Sequence, residues 1–439
     1  MQRRDLLTVL AGAGLLPSAG LFSQPARAAT TRYNGPIYLV LSAEGGWDVT
    51  SLCDPKDGLI LPPGMTAPVP INNWSASESI QTSANGIRYA PFADNARLFT
   101  DHSAKMLVIN GLDAQTNAHS AGVRHVFSGR FADGYPAITA LAAAEYGAGL
   151  PLAFLSNGAY RETAGLTNFS LMQDPASLGK LINTNSPPWG ASQYIRPDVL
   201  PLLEQYRRAR LDRLQARAGL VARLKQSADY LDSSAAGRDQ LTSLNQYMPE
   251  TLAPTQDANG DWFPLLRQIQ LVLVSAAAGL TVAADVVQHG FDSHANHDVE
   301  QARGLTHLAA GIDFIWAEAA RMDALYGTEL VSRLRVVVAS DFGRTPWYND
   351  GAGKDHWPIG SAILMRDTGF GQSVVGATSA EHDALGLSSQ LIAQTDGQGT
   401  LINPAHFQRL LRYWSGTDKA PYNSRFVLYD FDLDLRSLV

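Results

Sequence analysis

Cysteine is nearly absent: Cys53 stands alone among 439 residues, so no internal disulfide can form and the core must hold the fold. A lone thiol of this kind is expected to be buried and inert. Basic charge is also in the minority, with 34 Lys and Arg against 41 Asp and Glu and a net charge of −7. Binding nucleic acid requires a basic face for the phosphates, so that class of partner is excluded. Beyond the N-terminal segment no run reaches the ~18 apolar residues of a membrane span. Internal repeats are missing too, which sets aside solenoids and propellers. What is plentiful is apolar material, 45% of the chain, enough to bury one large domain.

The N-terminal segment follows rules of its own. It opens Met1-Gln2-Arg3-Arg4-Asp5-Leu6-Leu7, continues through a weakly apolar run from Thr8 to Leu21, and ends Pro25-Ala26-Arg27-Ala28-Ala29. Paired arginines before a modest apolar stretch, with small residues at Ala26 and Ala28, read as a twin-arginine export signal over residues 1–28. No cysteine stands at the cleavage point to take a lipid anchor. The expected product is one soluble domain, 29–439, delivered by the twin-arginine machinery to the periplasm or outside. Removing the signal takes away three arginines and one aspartate, moving the charge from −7 to −9.

Ile37-Tyr38-Leu39-Val40-Leu41 is a short apolar run closed by Gly45-Gly46, without the alternation of a half-exposed strand. It reads as a strand buried on both faces, as in a parallel sheet. Runs at Met106 to Ile109, Leu280 to Val287, Leu334 to Ser340 and Ser361 to Met365 read as further strands. Helical patterning covers Ala121 to Phe127, Ala137 to Tyr146, Pro264 to Ala278, Val299 to Leu325 and Asn403 to Trp414. Residues 51–85, rich in Pro, Asn and Ser, read as surface loop. Residues 151–197 are low in pattern, with Pro187-Pro188 breaking any helix. From Val199 to Met248, Leu202, Leu203, Tyr206, Leu211, Leu214, Leu220 and Leu224 recur at helical spacing. They mark a helical insertion at 199–250 packed beside the sheet, either a linker or a substrate lid. Strands alternating with helices predict an α/β fold, a doubly wound, mainly parallel sheet flanked by helices.

Open α/β sheets place their sites at the carboxyl ends of strands, and four polar clusters fall there. Glu44-Gly45-Gly46-Trp47-Asp48 allows a sharp turn and leaves Asp48 as a hard metal ligand or as the cap of the next turn. Gly290 to Asp298 offers Asp292, His294 and His297, with His289 just before. Aspartate with histidine is the donor mixture that zinc and manganese accept. Asp298 reads instead as a helix cap. Ser340-Asp341-Phe342-Gly343-Arg344-Thr345-Pro346 supplies Asp341 as a ligand and Arg344 as a clamp on an oxyanion, unless the two merely pair to steady the turn. Lys354-Asp355-His356-Trp357-Pro358 follows a glycine-bearing loop and suits a segment that folds over a metal, with His356 as its ligand.

Gly-Gly-Trp-Asp, Gly-Phe-Asp-Ser-His-Ala-Asn, Ser-Asp-Phe-Gly-Arg-Thr-Pro and Asp-His-Trp, in that order behind twin arginines, resemble the bacterial DUF1501 family. The likeness covers essentially the whole mature chain. That family is similar to the alkaline phosphatase and sulfatase superfamily. The resemblance implies an alkaline-phosphatase-like fold, with metal ligands at Asp48, at Asp292 with His294 or His297, at Asp341 and at His356. Phe342 departs from it, standing where the superfamily has a histidine ligand. A second ion would therefore be short of a ligand, and one ion on Asp292, His294 and His356 is expected.

The resemblance also implies a hydroxyl nucleophile at a helix start after the second strand, where the helix terminus favours an anion. The matching segment, Gln115 to His125, offers Thr116 and Ser120 as nucleophile or simple cap, His119 as base or ligand, and Arg124 as an oxyanion contact. No Cys-x-Pro-x-Arg motif is present, which argues against a formylglycine sulfatase. The expectation is an exported hydrolase using a divalent metal, zinc or manganese, on a small-molecule or envelope-derived phosphate or sulfate ester. The rival is a non-catalytic binding protein on a degenerate hydrolase fold. A transferase that puts a sugar hydroxyl in place of water is a third reading.

Overall fold

The structure, a computed structural model, describes residues 32–171, 174–175, 178, 195–196, 198–217, 219, 221, 240–429 and 432–439. The twin-arginine segment, Pro187-Pro188, Leu220 and Leu224 lie outside the described residues. Seven strands form one sheet: β1 Ile37–Ala43, β2 Met106–Asp113, β3 Phe154–Ser156, β4 Ala283–Gln288, β5 Leu334–Ser340, β6 Ile359–Met365 and β7 Val374–Val375. Their spatial order is β7-β2-β6-β5-β1-β4-β3. Every neighbouring pair is parallel except at β6, which runs antiparallel to both β5 and β2. The expected mainly parallel sheet is therefore present, with one reversed strand inside it.

The longer described helices are α1 Asn95–His102, α2 His119–Ser128, α3 Ile138–Tyr146, α4 Leu200–Gln215, α5 Leu265–Ala277, α6 His297–Tyr326 and α7 Pro404–Trp414. Side chains along β1 divide by parity, as a pleated strand requires. Ile37, Leu39 and Leu41 enter a core with residues of α1, α5 and α6, whereas Val40 joins Leu107 and Val337 against α2 and α7. Tyr38 packs with α3 and Phe154 of β3. Each fully buried Leu or Ile contributes roughly 1.5–3 kcal/mol, so two apolar layers hold the sheet without any covalent tie. Local signals agree with the packing at α7. Asn403 accepts from the Ala405 and His406 N–H groups, His406 bonds back to Asn403, and Pro404 sits at the first helical position. Cys53 is buried, as expected, and burial raises its thiol pKa.

Four expectations need correction. Residues 51–85 are not simply surface loop. They carry one small ribbon and the first strand of a second, which pairs with Arg88–Tyr89, and bury Leu52, Cys53, Ile71, Asn72 and Trp74. Polar composition concealed this, because Asn72 is buried with its amide donating to the Thr50 and Lys56 carbonyls. β4 starts at Ala283 rather than Leu280, since the Thr281 hydroxyl is tied to the Leu152 carbonyl at 3.0 Å ahead of it. None of the described side chains of α4 is buried, so that helix does not pack beside the sheet. Its apolar residues spread over about half the circumference at the helical turn of 3.6 residues and form no narrow stripe. Asp298 lies in the first turn of α6 and accepts from Asn73 and Tyr348, while Asn296 occupies the cap position. Among the described residues no helix is long and apolar enough to cross a membrane.

Candidate metal centre

The carboxyl ends of β1 and β4 are joined beyond the strands by Glu44 N–H to Gln288 O at 2.9 Å, which brings the turn at Gly45 against Asp292. Gly45 is required there: its φ is +112°, and an added Cβ would meet the Asp292 nitrogen at 2.5 Å. Asp292 lies at the middle of the centre. Its Oδ1 is 3.2 Å from His294 Nε2 and 3.3 Å from His356 Nε2, and its Oδ2 is 3.5 Å from His119 Nε2. His119, Asp292 and His356 each place a ligand atom within 4.8 Å of the others. His294 and His356 meet through Nε2 at 2.9 Å.

Each imidazole is held from behind by Nδ1. His119 bonds Asp341 Oδ2 at 2.5 Å, His294 bonds Asp355 Oδ1 at 2.7 Å, and His356 bonds the Asn117 carbonyl at 2.7 Å. With these Nδ1 protons assigned as donors, three Nε2 lone pairs face one carboxylate. Lone pairs 2.9 Å apart repel, so His294 and His356 need a proton or a metal ion between them. His119 Nε2 is also buried with no hydrogen-bond partner. Three imidazoles and a carboxylate, backed by acceptors that fix the tautomers, suit a divalent transition ion. The residues fit.

Charge supports the same geometry. The Asp341 hydrogen bond raises the His119 pKa above the usual imidazole range, against the opposing effect of burial. Burial would raise Asp292, but the Arg344 hydrogen bond and charge outweigh it and hold the carboxyl below its usual range. His294 lowers Asp355 by hydrogen bonding to its carboxylate.

Arg344 does not clamp an oxyanion. It is wholly buried and donates to Asp292 Oδ1 at 2.7 Å, Gly46 O at 2.8 Å, Lys354 O at 3.0 Å and the Gly45 carbonyl. It aims Asp292 rather than meeting a ligand. Phe342 is buried under the centre, its ring centroid 4.8 Å from that of His119 and 4.6 Å from that of His356. The segments carrying the ligands are stapled to each other. His297 N–H donates to Ala352 O at 2.9 Å, Lys354 N–H to Ser293 O at 3.1 Å, and the Asn349 amide to His294 O at 3.1 Å. A Cβ on Gly353 would collide with the His294 carbonyl, so glycine permits the close approach.

Other expected ligands go elsewhere. Asp341 Oδ1 accepts from Gly46 N–H at 2.7 Å and its Oδ2 holds His119, so it stands behind the centre. Asp48 and His297 belong to a separate buried cluster. Asp48 Oδ2 accepts from His297 Nε2 at 2.8 Å and Lys354 Nζ at 2.7 Å, and its Oδ1 from the Thr50 N–H and hydroxyl at 2.9 and 2.6 Å. Burial would raise Asp48, but the Lys354 ammonium and His297 hold it well below the usual carboxylate range. His297 is lowered by burial, with Asp48 pulling the other way.

Arg124 is turned away from the centre: it pairs with Asp133 at 2.8 Å and with the Phe131 carbonyl at 3.0 Å. The Thr116 hydroxyl accepts from Ala118 N–H at 3.2 Å, a local turn contact, and Ser120 is exposed in the first turn of α2. Sequence reasoning left His119 open between base and ligand, and it missed Lys354 and Asn72 altogether. No local signal marked Lys354: residues two apart in an extended segment face the same way, yet Lys354 and His356 part to different clusters.

The sequence profile of DUF1501, described as a protein of unknown function, matches residues 37–386. The chain belongs to that family. No curated protein matches this DUF1501 chain. Among solved structures, an alkaline phosphatase from the Antarctic bacterium TAB5 is 11% identical, covers 76% of this chain and 92% of its own, and overlaps with a TM-score of 0.31. A mutant of that enzyme with Mg bound in the M3 site is 12% identical over 76% of this chain and 91% of its own, with a TM-score of 0.29. A crystal structure named Ps i-CgsB is 9% identical over 85% and 76%, with a TM-score of 0.32. Likeness this loose says nothing about the DUF1501 site.

Proposed function

We propose that this DUF1501 chain is an exported, metal-dependent hydrolase acting on phosphate or sulfate esters. One observation carries the reading: three imidazoles, each locked by Nδ1 to an acceptor, turn their Nε2 atoms toward Asp292. A divalent ion held there supplies Lewis acidity toward an ester oxygen. Asp341, Asp355 and the Asn117 carbonyl orient the rings, and Arg344 orients the carboxylate. His119 opens α2, whose first turn is capped by no side chain, so partial positive charge lies beside the centre for an anionic group. Thr116 and Ser120 flank His119 in sequence and supply the candidate hydroxyls.

The test is metal analysis of protein purified from its export route, with turnover of aryl phosphates, phosphodiesters and sulfates. Asp292→Ala and His356→Ala are expected to lose both ion and turnover. Absence of a transition metal from the wild type, with no effect of either substitution, removes the proposal. Export rests on Arg3-Arg4 and the small residues at Ala26 and Ala28. Replacing both arginines by lysine is expected to retain the chain in the cytoplasm.

A specific observation favours the binding-protein reading: Arg124 and Arg344, both expected to meet substrate oxygens, are engaged within the protein. Turnover of any ester on the panel rules out a pure binder.

A further inference from the structure

Back to back with the exposed centre lies a second cage of donor atoms. The side chains alternate along residues 292–294, while Lys354 and His356 part to opposite sides. Asp292, His294 and His356 go to the centre, while Ser293 and Lys354 go to the buried cluster. Lys354 Nζ lies 2.6 Å from Asn72 Oδ1, 2.7 Å from Asp48 Oδ2 and 3.4 Å from Thr50 Oγ1. His297 Nε2 is 2.8 Å from the same Asp48 oxygen, and its Nδ1 is 2.8 Å from Ser293 Oγ. Asp48, Thr50, Asn72 and Lys354 have no exposed surface and His297 has 1%. A carboxylate buried so deeply cannot stay ionised without a cation beside it. A carboxylate, an amide oxygen, a hydroxyl and an imidazole form a donor set that divalent ions accept.

From this packing we infer that the Asp48 cage is a divalent-cation site whose resident cation is the chain's own Lys354 ammonium. The protein then takes up one divalent ion, and a second enters only when that ammonium is removed. The count of one rests on the proposed function of the exposed centre; the cage itself does not.

The experiment strips wild type and Lys354→Ala with chelator, equilibrates both with Mn2+ or Zn2+, and measures bound metal per chain beside circular dichroism for folding. The expected result is one ion in the wild type and two in Lys354→Ala, the added ion being lost again in Lys354→Ala/Asp48→Asn. No ion in the wild type and one in Lys354→Ala sinks the exposed centre and leaves the cage standing. Two ions in the wild type, or a folded Lys354→Ala that takes no more than the wild type, overturns the cage. If stripped Lys354→Ala is unfolded, refolding becomes the readout. Recovery of the native spectrum on adding Mn2+ supports the cage, and continued unfolding in its presence overturns it.

Discussion

The exposed centre and the buried cage are built from similar parts, imidazoles and carboxylates, and share two segments, 292–297 and 354–356. Their difference lies in what completes them. In the cage every donor meets an acceptor: Lys354 and His297 face Asp48, and Asn72 takes the remaining contact. In the centre the acceptors face one another, with His294 and His356 Nε2 at 2.9 Å and His119 Nε2 without a hydrogen-bond partner. A balanced cluster is a structural device. An unbalanced one is what the proposed metal site requires.

The largest way to break this contrast is Lys354→Met in metal-free protein, which leaves the buried Asp48 carboxylate without its ammonium. Loss of one partner from a buried pair costs about 3–5 kcal/mol, to be read from urea unfolding, and Lys354→Met/Asp48→Asn should recover most of it. The exposed centre should behave oppositely. Asp292→Ala or His356→Ala is expected to weaken Mn2+ or Zn2+ binding by more than about 100-fold in calorimetry, since even outer partners of metal ligands are worth 10–100-fold. Unfolding of the metal-free protein should barely change in His356→Ala, whereas Asp292→Ala also strips the buried Arg344 of its carboxylate and should destabilise. Asp355→Asn, which acts from behind His294, is expected to weaken the same binding by about 10–100-fold.

A third buried carboxylate sharpens the comparison at smaller scale. Asp285 in β4 is buried like Asp48, but the Ser156 hydroxyl at 3.3 Å takes the place of a cation. Burial pushes its pKa up to about 8, the reverse of the shift at Asp48. The folded chain thus holds a proton that the unfolded chain releases near the ordinary carboxylate pKa of about 4. Stability from this group is full below that value and falls as pH rises toward about 8. Asp285→Asn should flatten the decline of the urea midpoint across that window. A decline equally steep in the variant would assign it to another group.

Much of the fold was legible because it rests on local pattern. Ile37 to Leu41 and Leu334 to Ser340 announce buried strands by unbroken apolar runs, and Asn403-Pro404 announces a helix start. The short edge strands Phe154–Ser156 and Val374–Val375 carry too few residues to show a period. At the site, motif spacing brought Asp292, His294 and His356 forward together. It could not say which way a side chain faces on leaving a strand. For that reason Asp48 and Asp341 read as ligands, although Asp48 caps the next turn, its alternative reading, and meets an ammonium, while Asp341 stands behind a histidine. Arg344 and Arg124 failed as oxyanion contacts for a related cause, since sequence shows a cation and not the carbonyls already bonded to it.

The backbone staple between Ser293 and Lys354, closed tightly over Gly353, has a consequence for selectivity. Two of the ligand-bearing loops form one stiff jaw, so the aperture is cut before any guest arrives. If the proposed ion is taken up there, discrimination among cations would follow from size as much as from chemical preference.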